Sequence, residues 1–263
     1  VTFPYGQPQL DVAKIPYMGY TKGKGTPTKY YRALTAKFIK QNGVWYLNMS
    51  VDVDEPTLVT IRGNGTIGID LNAQFLAVTE VDRFGNVVHS FIVPFRGYHV
   101  TSEQTKQSVS EALKVIVQYA LEKQKPIVCE ELHFQKKKQQ LKECTKKQAT
   151  VLSGFAYSLY KQLLEAKCKK AGVELVKINP AYTSQMGHHK YMKRYGLSSH
   201  ESAAMVIARK AMRFVKTEKV PTRHIIKGKK EKIVLKSRLA QWKDIMKQWK
   251  QYTNKKKTYL LYK

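Results

Sequence analysis

An α/β fold, a mixed sheet flanked by helices, is what three features of this chain predict. Three strand-like runs joined by tight turns come first, and helices and strands then alternate. Two of the apolar runs end in acids: Thr66-Ile67-Gly68-Ile69-Asp70 and Pro126-Ile127-Val128-Cys129-Glu130. The third feature is charge: 47 Lys and Arg against 19 Asp and Glu give +28 over 263 residues. Taking an isolated carboxylate out of water is costly. Either acid alone could sit at a solvated strand end. Two of them on strands of so basic a chain point to a divalent cation held between them, and so to phosphodiester cleavage.

The charge selects the partner. A compact chain at +28 repels itself unless a polyanion neutralises it, and nucleic acid does so with release of counterions. An anionic membrane is the rival. No apolar stretch approaches the roughly 18 residues of a spanning helix, and no signal peptide is evident, so a membrane partner is not expected. The cysteines, Cys129, Cys144 and Cys168, form no Cys-x-x-Cys pair. That spacing argues against a disulfide framework and against a cysteine zinc site, and fits a reducing cytosol. The length suits one large domain or two small ones. The chain begins at Val1 and not at Met, so a segment could precede it.

Val1 to Lys29, rich in Gly, Pro and Tyr, reads as irregular. Tyr30–Lys40 and Val44–Val53 flank Asn42-Gly43, a strong hairpin signal because both residues tolerate positive φ. Asp54 to Asn64, with Pro56 and Gly63, reads as a linker. Thr66–Asp70, Phe75–Val81 and Val87–Val93 form an antiparallel meander, turning at Arg83-Phe84-Gly85-Asn86. Ser102–Lys123 carries Val109, Leu113, Ile116, Val117 and Ala120 on one helical face. Pro126–Leu132 is a strand, and Thr150–Ala171 is a helix with Val151, Phe155, Leu159 and Leu163 in phase. Val173–Ile178 is the last strand, and Ser198 or Ser199 caps a helix reaching about Arg213. The order β-β-β-α-β-α-β-α is ribonuclease H-like, with late strands parallel and helices covering the sheet. In it the carboxyl ends of the strands bearing Asp70 and Glu130 can lie side by side. Beyond Lys216, Arg223–Lys236 reads as a small hairpin around Gly228. Leu239, Trp242, Ile245, Met246 and Trp249 then mark an amphipathic helix whose Trp stripe suits packing better than base stacking.

The segment Asn179-Pro180-Ala181-Tyr182-Thr183-Ser184-Gln185, with Gly68-Ile69-Asp70-Leu71-Asn72 and Val128-Cys129-Glu130-Glu131-Leu132, resembles the TnpB (OrfB) family of bacterial insertion-sequence proteins. These carry a RuvC-like nuclease domain related to type V CRISPR effectors. The resemblance runs from about Tyr30 to Arg213 and keeps the family's motif order. It implies an RNA-guided DNA endonuclease using Mg²⁺ (or Mn²⁺), with guide RNA and target DNA as partners, in the bacterial cytoplasm near the nucleoid. It further implies that Tyr30–Val53 belongs to a β-rich wedge region that contacts guide RNA, and the chain is expected to divide into a wedge-like nucleic-acid-binding region over 1–62, a RuvC-like nuclease domain over 63–215 and a basic C-terminal extension over 216–263. Carried over by position, Asp70 and Glu130 are metal-binding acids, while alternation sends Glu131 to the other face of its strand.

Two departures from the family bear on activity. A four-cysteine zinc ribbon commonly follows the Pro-Ala-Tyr-Thr-Ser-Gln motif, but Met186–Tyr195 contains no cysteine. His188 and His189 alone do not make a four-ligand site, so zinc is not expected. The third acid normally precedes an Asn-Ala-Ala run; here the run is Ser202-Ala203-Ala204, and the position is His200, with Glu201 beside it. The two lie about 100° apart on a helix, so either could reach the site. Position favours His200 as ligand or base; the preference of Mg²⁺ for carboxylate oxygen favours Glu201. Lys136, Lys137, Lys138, Lys142, Lys146 and Lys147 follow the Glu130 strand, and Lys190, Lys193 and Arg194 lie in a basic loop. All are candidates for contact with nucleic-acid backbone. The alternative to an endonuclease is a nuclease-impaired, repressor-like RNA-guided DNA-binding protein.

Overall fold

The computed structural model describes residues 2–3, 5–20, 25–54, 56–96, 100–131, 154–212, 214 and 238–261. They fall into two compact units, Val1–Glu55 and Pro56–Lys263.

In the first unit, α1 (Gln7–Ala13) buries Leu10 and Ala13. Strands β1 (Tyr17–Tyr20) and β2 (Pro27–Tyr30) form one antiparallel pair, and β3 (Leu34–Gln41) and β4 (Val44–Val51) another. The N-terminal stretch expected to be irregular therefore carries a helix and a hairpin, each too short for its periodicity to show. The Asn42-Gly43 turn forms as expected. Both residues have positive φ, 51° and 80°, the geometry a two-residue hairpin requires.

The second unit is built on one five-stranded sheet. Strands β5 (Thr66–Leu71), β6 (Phe75–Val81) and β7 (Val87–Pro94) are the antiparallel meander. Strands β8 (Ile127–Glu130) and β9 (Leu175–Ile178) add in parallel on the far side of β5, giving the order β7-β6-β5-β8-β9. Three antiparallel strands followed by two parallel ones, with β5 central, is the ribonuclease H-like topology. Helices α2 (Ser102–Lys123) and α3 (Gly154–Ala171) cover one face, packing Val109, Leu113, Ile116 and Leu164 on Ile67, Ile69 and Ile127. The chain next runs through α4 (Thr183–Met186), a π-helical stretch at Gly187–Met192 and α5 (Lys193–Tyr195). Helix α6 (Ser199–Ala211) covers the opposite face of the sheet, and α7 (Arg238–Leu261) follows.

Two local differences from the sequence reading have plain causes. In α3 the buried stripe is Tyr160, Leu164 and Cys168, with Leu163 only partly covered, because the apolar band is wide and centres one residue further on. Residues 57–61 belong to the larger unit: the Val59 N–H donates to the Gly172 carbonyl and the Ile61 N–H to the Gln124 carbonyl, both at 2.9 Å. Trp242 is fully buried beside Ile245, and Trp249 lies 5.0 Å from the ring of His188 and 5.1 Å from that of His189. The stripe on α7 thus packs. The hairpin expected at Arg223–Lys236 lies outside the described residues. Among the described residues, no helix is long and apolar enough to cross a membrane.

A buried ion pair closes one end of the sheet. Glu80 lies opposite Ile67, near the start of β5. The Lys125 ammonium donates to its carboxylate at 2.5 Å and to the Val81 carbonyl at 3.2 Å, and the Tyr119 hydroxyl donates to the same carboxylate. Burial raises the Tyr119 phenol above its ordinary range, and Glu80 raises it further. Removing one partner leaves an uncompensated buried charge. Lys125→Met is expected to lower the unfolding free energy by about 3–5 kcal/mol, and Glu80→Leu added to it to restore most of that loss. Urea denaturation of the wild type and both variants checks this.

Candidate functional site

Small residues bring the site together. At Gly68 an added Cβ would lie 2.0 Å from the Ala204 carbonyl oxygen, so α6 rests directly on the backbone of β5. Two residues further back, the Thr66 hydroxyl donates to the Ala208 carbonyl at 3.0 Å. Two residues on, Asp70 Oδ2 meets His200 Nδ1 at 2.9 Å. Two residues of strand advance about 6.6 Å and four residues of helix about 6 Å, so the antiparallel strand and helix stay in step. Thr66, Gly68 and Asp70 thereby face Ala208, Ala204 and His200 in turn.

Glu130 comes to the same place through the sheet. Strands β5 and β8 run parallel with Gly68 beside Val128. Continuing that register by two residues sets Asp70 beside Glu130 on one face. Val128 packs on Ile207 and Ala211, which fixes that face as the one α6 covers. Cys129 points to the opposite core, where burial pushes its thiol up to about 11 and that of Cys168 up to about 12; both behave as packed apolar groups.

Each carboxylate meets a side chain from another element. The Thr183 hydroxyl contacts Glu130 Oε1 and lies 3.0 Å from the Pro180 carbonyl. His200 is fixed by Asp70, by the Asn72 amide nitrogen at 2.8 Å from Nε2, and by the Phe75 ring edge-on at 5.2 Å. The Asn72 amide nitrogen also lies 3.1 Å from Nδ1, so it sits against both ring nitrogens. The His200 side chain keeps 44% of its surface exposed, against 16% for Asp70, so the imidazole forms the outer wall of the site.

Glu201 is placed differently. Its carboxylate accepts the Ser198 N–H at 3.0 Å while the Ser198 hydroxyl accepts the Glu201 N–H at 3.3 Å, a complete capping box. Burial pushes the Glu201 carboxyl up, but hydrogen bonds from Ser198 and Ser90 outweigh it and leave it below the usual carboxylate range. The structure thus brings Asp70, Glu130 and His200 to one sheet end, and sends Glu201 to the helix cap. Among the described residues, no group of three or more His, Cys, Asp and Glu side chains converges closely enough to define a metal site outright. Two carboxylates on one face nevertheless suit a hard, oxygen-preferring divalent cation, with the imidazole as a softer neighbour.

His188 and the buried His189 lie on the π-helical stretch against Trp249. Lys190 lies over the Tyr191 ring at 5.1 Å, and Arg194 over that of Tyr195 at 5.4 Å; Lys193 is exposed. Lys136, Lys137, Lys138, Lys142, Lys146 and Lys147 lie outside the described residues.

Three further residues shape the site. Asn72 and Thr183 stand inside the motifs but carry no charge to draw notice. Lys210 reads in sequence as a basic residue at a helix end. It instead folds inward, donating to the Asn179 carbonyl at 2.9 Å and the Ala181 carbonyl at 2.7 Å. It thereby holds the turn that delivers Thr183 to Glu130. Burial pushes the Lys210 ammonium down to about 8, with Glu130 pulling the other way.

A family model, the Cas12f1-like TNB domain, matches residues 157–210, from within α3 to near the end of α6. No curated protein matches the chain. Among solved structures, RuvC of T. thermophilus in complex with a Holliday junction substrate is 13% identical over 58% of this chain and 95% of that one, with a TM-score of 0.41. A second structure of Thermus thermophilus RuvC is 16% identical over the same shares, at 0.40. A chain of a CRISPR-Cas12f ternary complex is 13% identical over 66% of this chain and 44% of its own, at 0.38. The fold assignment rests on the strand order and not on these likenesses.

The depressed Lys210 value fixes a pH dependence. Its folded-state value of about 8 lies below its ordinary 10.5, so the stability it contributes is complete above about pH 10.5 and is lost as the pH falls through 8. The advantage of wild type over Lys210→Met in unfolding free energy is therefore expected to grow from pH 8 to 10.5. Paired chemical denaturations across that range check it; a constant difference would contradict the burial of the ammonium.

Proposed function

We propose that the chain is a divalent-cation-dependent nuclease, working as an RNA-guided DNA endonuclease in the manner of the TnpB-type proteins it resembles. The observation that supports this reading is that Asp70 and Glu130 each lie two residues beyond the paired Gly68 and Val128, at the carboxyl ends of adjacent parallel strands, with His200 against Asp70. The match of residues 157–210 to a Cas12f1-like domain and the +28 charge agree with it. Asp70 and Glu130 would hold the cation, Mg²⁺ or Mn²⁺, and it would supply activation of the attacking water and stabilisation of the leaving oxygen. The protein's own groups do the positioning. Thr183 orients Glu130, Asn72 and Asp70 hold the His200 ring, and that ring forms the solvent side of the site.

A second reading, a repressor-like RNA-guided DNA-binding protein that does not cut, has its own observation. The carboxylate that could replace the family's third acid, Glu201, is committed to the cap of α6. The two readings separate in one experiment. With the RNA that copurifies and a matched DNA, Asp70→Ala and Glu130→Ala are each expected to reduce Mg²⁺- or Mn²⁺-dependent cleavage on the order of 10³-fold while RNA binding persists. Wild-type cleavage by either variant would remove that residue from the site. Binding without cleavage by the wild type, under both metals, would establish the second reading.

The charge makes a separate prediction. If six to ten phosphates are neutralised, affinity for RNA should fall by roughly 10³–10⁵ between about 50 and 200 mM salt. Filter-binding titrations across that range measure it, and a flat response would refute an electrostatic interface.

A further inference from the structure

Helix α7 lies beyond the stretch that resembles a known family and beyond the family-model match, yet it borders the candidate site. Its inner side is anchored: Trp242 is fully buried and Ile245 nearly so, in the core cluster that also takes Met186 and Met205. Beside that anchor runs an open groove of about 730 Å³, with Lys243, Lys247 and Lys250 on one wall and Tyr182 on the other. The lysines recur at four- and three-residue steps, so they share one helix face and line up over about 10 Å. All three are exposed, and the acid in the groove is Asp244, leaving the wall net cationic.

Tyr182 ties the groove to the site. It has a left-handed backbone, φ 62°, a conformation that non-glycine residues rarely adopt and that clusters at functional sites. Part of its ring packs on the core cluster, while the residue also lines the groove. The next residue, Thr183, contacts the Glu130 carboxylate. The groove therefore ends one residue from Thr183, whose hydroxyl contacts a candidate metal-binding acid.

We propose that this groove is the track for a single nucleic-acid strand, with Lys243, Lys247 and Lys250 on its phosphates and Tyr182 against a base or sugar, leading the strand to the Asp70–Glu130 edge. The proposal rests on the nuclease reading for where the strand goes, but not for whether it binds. A groove of this size takes a few nucleotides of one strand and does not enclose a duplex. A cationic wall facing an aromatic is the arrangement by which proteins hold single strands without reading sequence.

The test is binding of a fluorescent thymidine oligonucleotide of about 16 nucleotides to the full chain in EDTA, so that cleavage plays no part. Lys243→Gln with Lys247→Gln is compared with Lys106→Gln with Lys114→Gln, an equal loss of charge on the exposed face of α2. The groove pair is expected to weaken binding about tenfold or more and to lower the slope of log affinity against log salt by about 1.4, two phosphates' worth, while the α2 pair leaves the slope unchanged. In parallel, 4-thiothymidine in the same oligonucleotide is expected to crosslink wild type at Tyr182 or within 243–250. Equal effects of the two pairs, or crosslinks mapping elsewhere, would overturn the track. Loss of binding in the groove pair while the wild type never cleaves would uphold the track and refute the nuclease reading. Cleaving wild type with unimpaired binding by the groove pair would do the reverse.

Discussion

The contact on which this structure depends is that between α6 and the backbone of β5 at Gly68. The helix can lie there only because Gly68 has no side chain, and because Ala204 and Ala208 present methyl groups and carbonyls to the strand. The same helix is pressed from its other side, where an added Cβ at Gly187 would come within 2.6 Å of Ser202 backbone atoms. Ser202 to Ala208 are accordingly all buried, an arrangement that a helix with one polar face could not tolerate. Backbone packed on backbone admits little sliding. That is why His200, one turn ahead of Ala204, arrives at Asp70 with a hydrogen bond's accuracy.

Acids stand at both ends of the sheet. At the start of β5, Glu80 is sealed in with Lys125 and Tyr119, its charge answered inside the protein. At the far end, Asp70 and Glu130 are held by an imidazole and a hydroxyl. Lys210, which feels the charge of Glu130, directs its hydrogen bonds to the carbonyls of Asn179 and Ala181. Side-chain direction likewise separates His200 from Glu201. A residue in a capping box is oriented toward its own helix, and the residue before it is free to face the sheet.

Much of this was legible in the chain because it rests on short-range rules. The Asn42-Gly43 turn needed only positive φ; Ser198 or Ser199 marked the start of a helix; Asp70 and Glu130 end apolar runs that alternation places on defined faces. The strand order followed from the succession of runs, since parallel neighbours need a helical crossover. What stayed hidden depends on approach distances between elements. Gly68 reads as a weak point in a strand until Ala204 is set against it, and the buried phase of α3 is decided by the sheet and not by its own band of apolar residues. Lys210 is the sharpest case. Next to Arg209 at a helix end it has the pattern of a solvated cation complementing the dipole. It folds inward because the turn before Thr183 offers two carbonyls that no strand or helix uses. Nothing local to residue 210 encodes that; it follows from where a segment thirty residues earlier turns back toward the sheet.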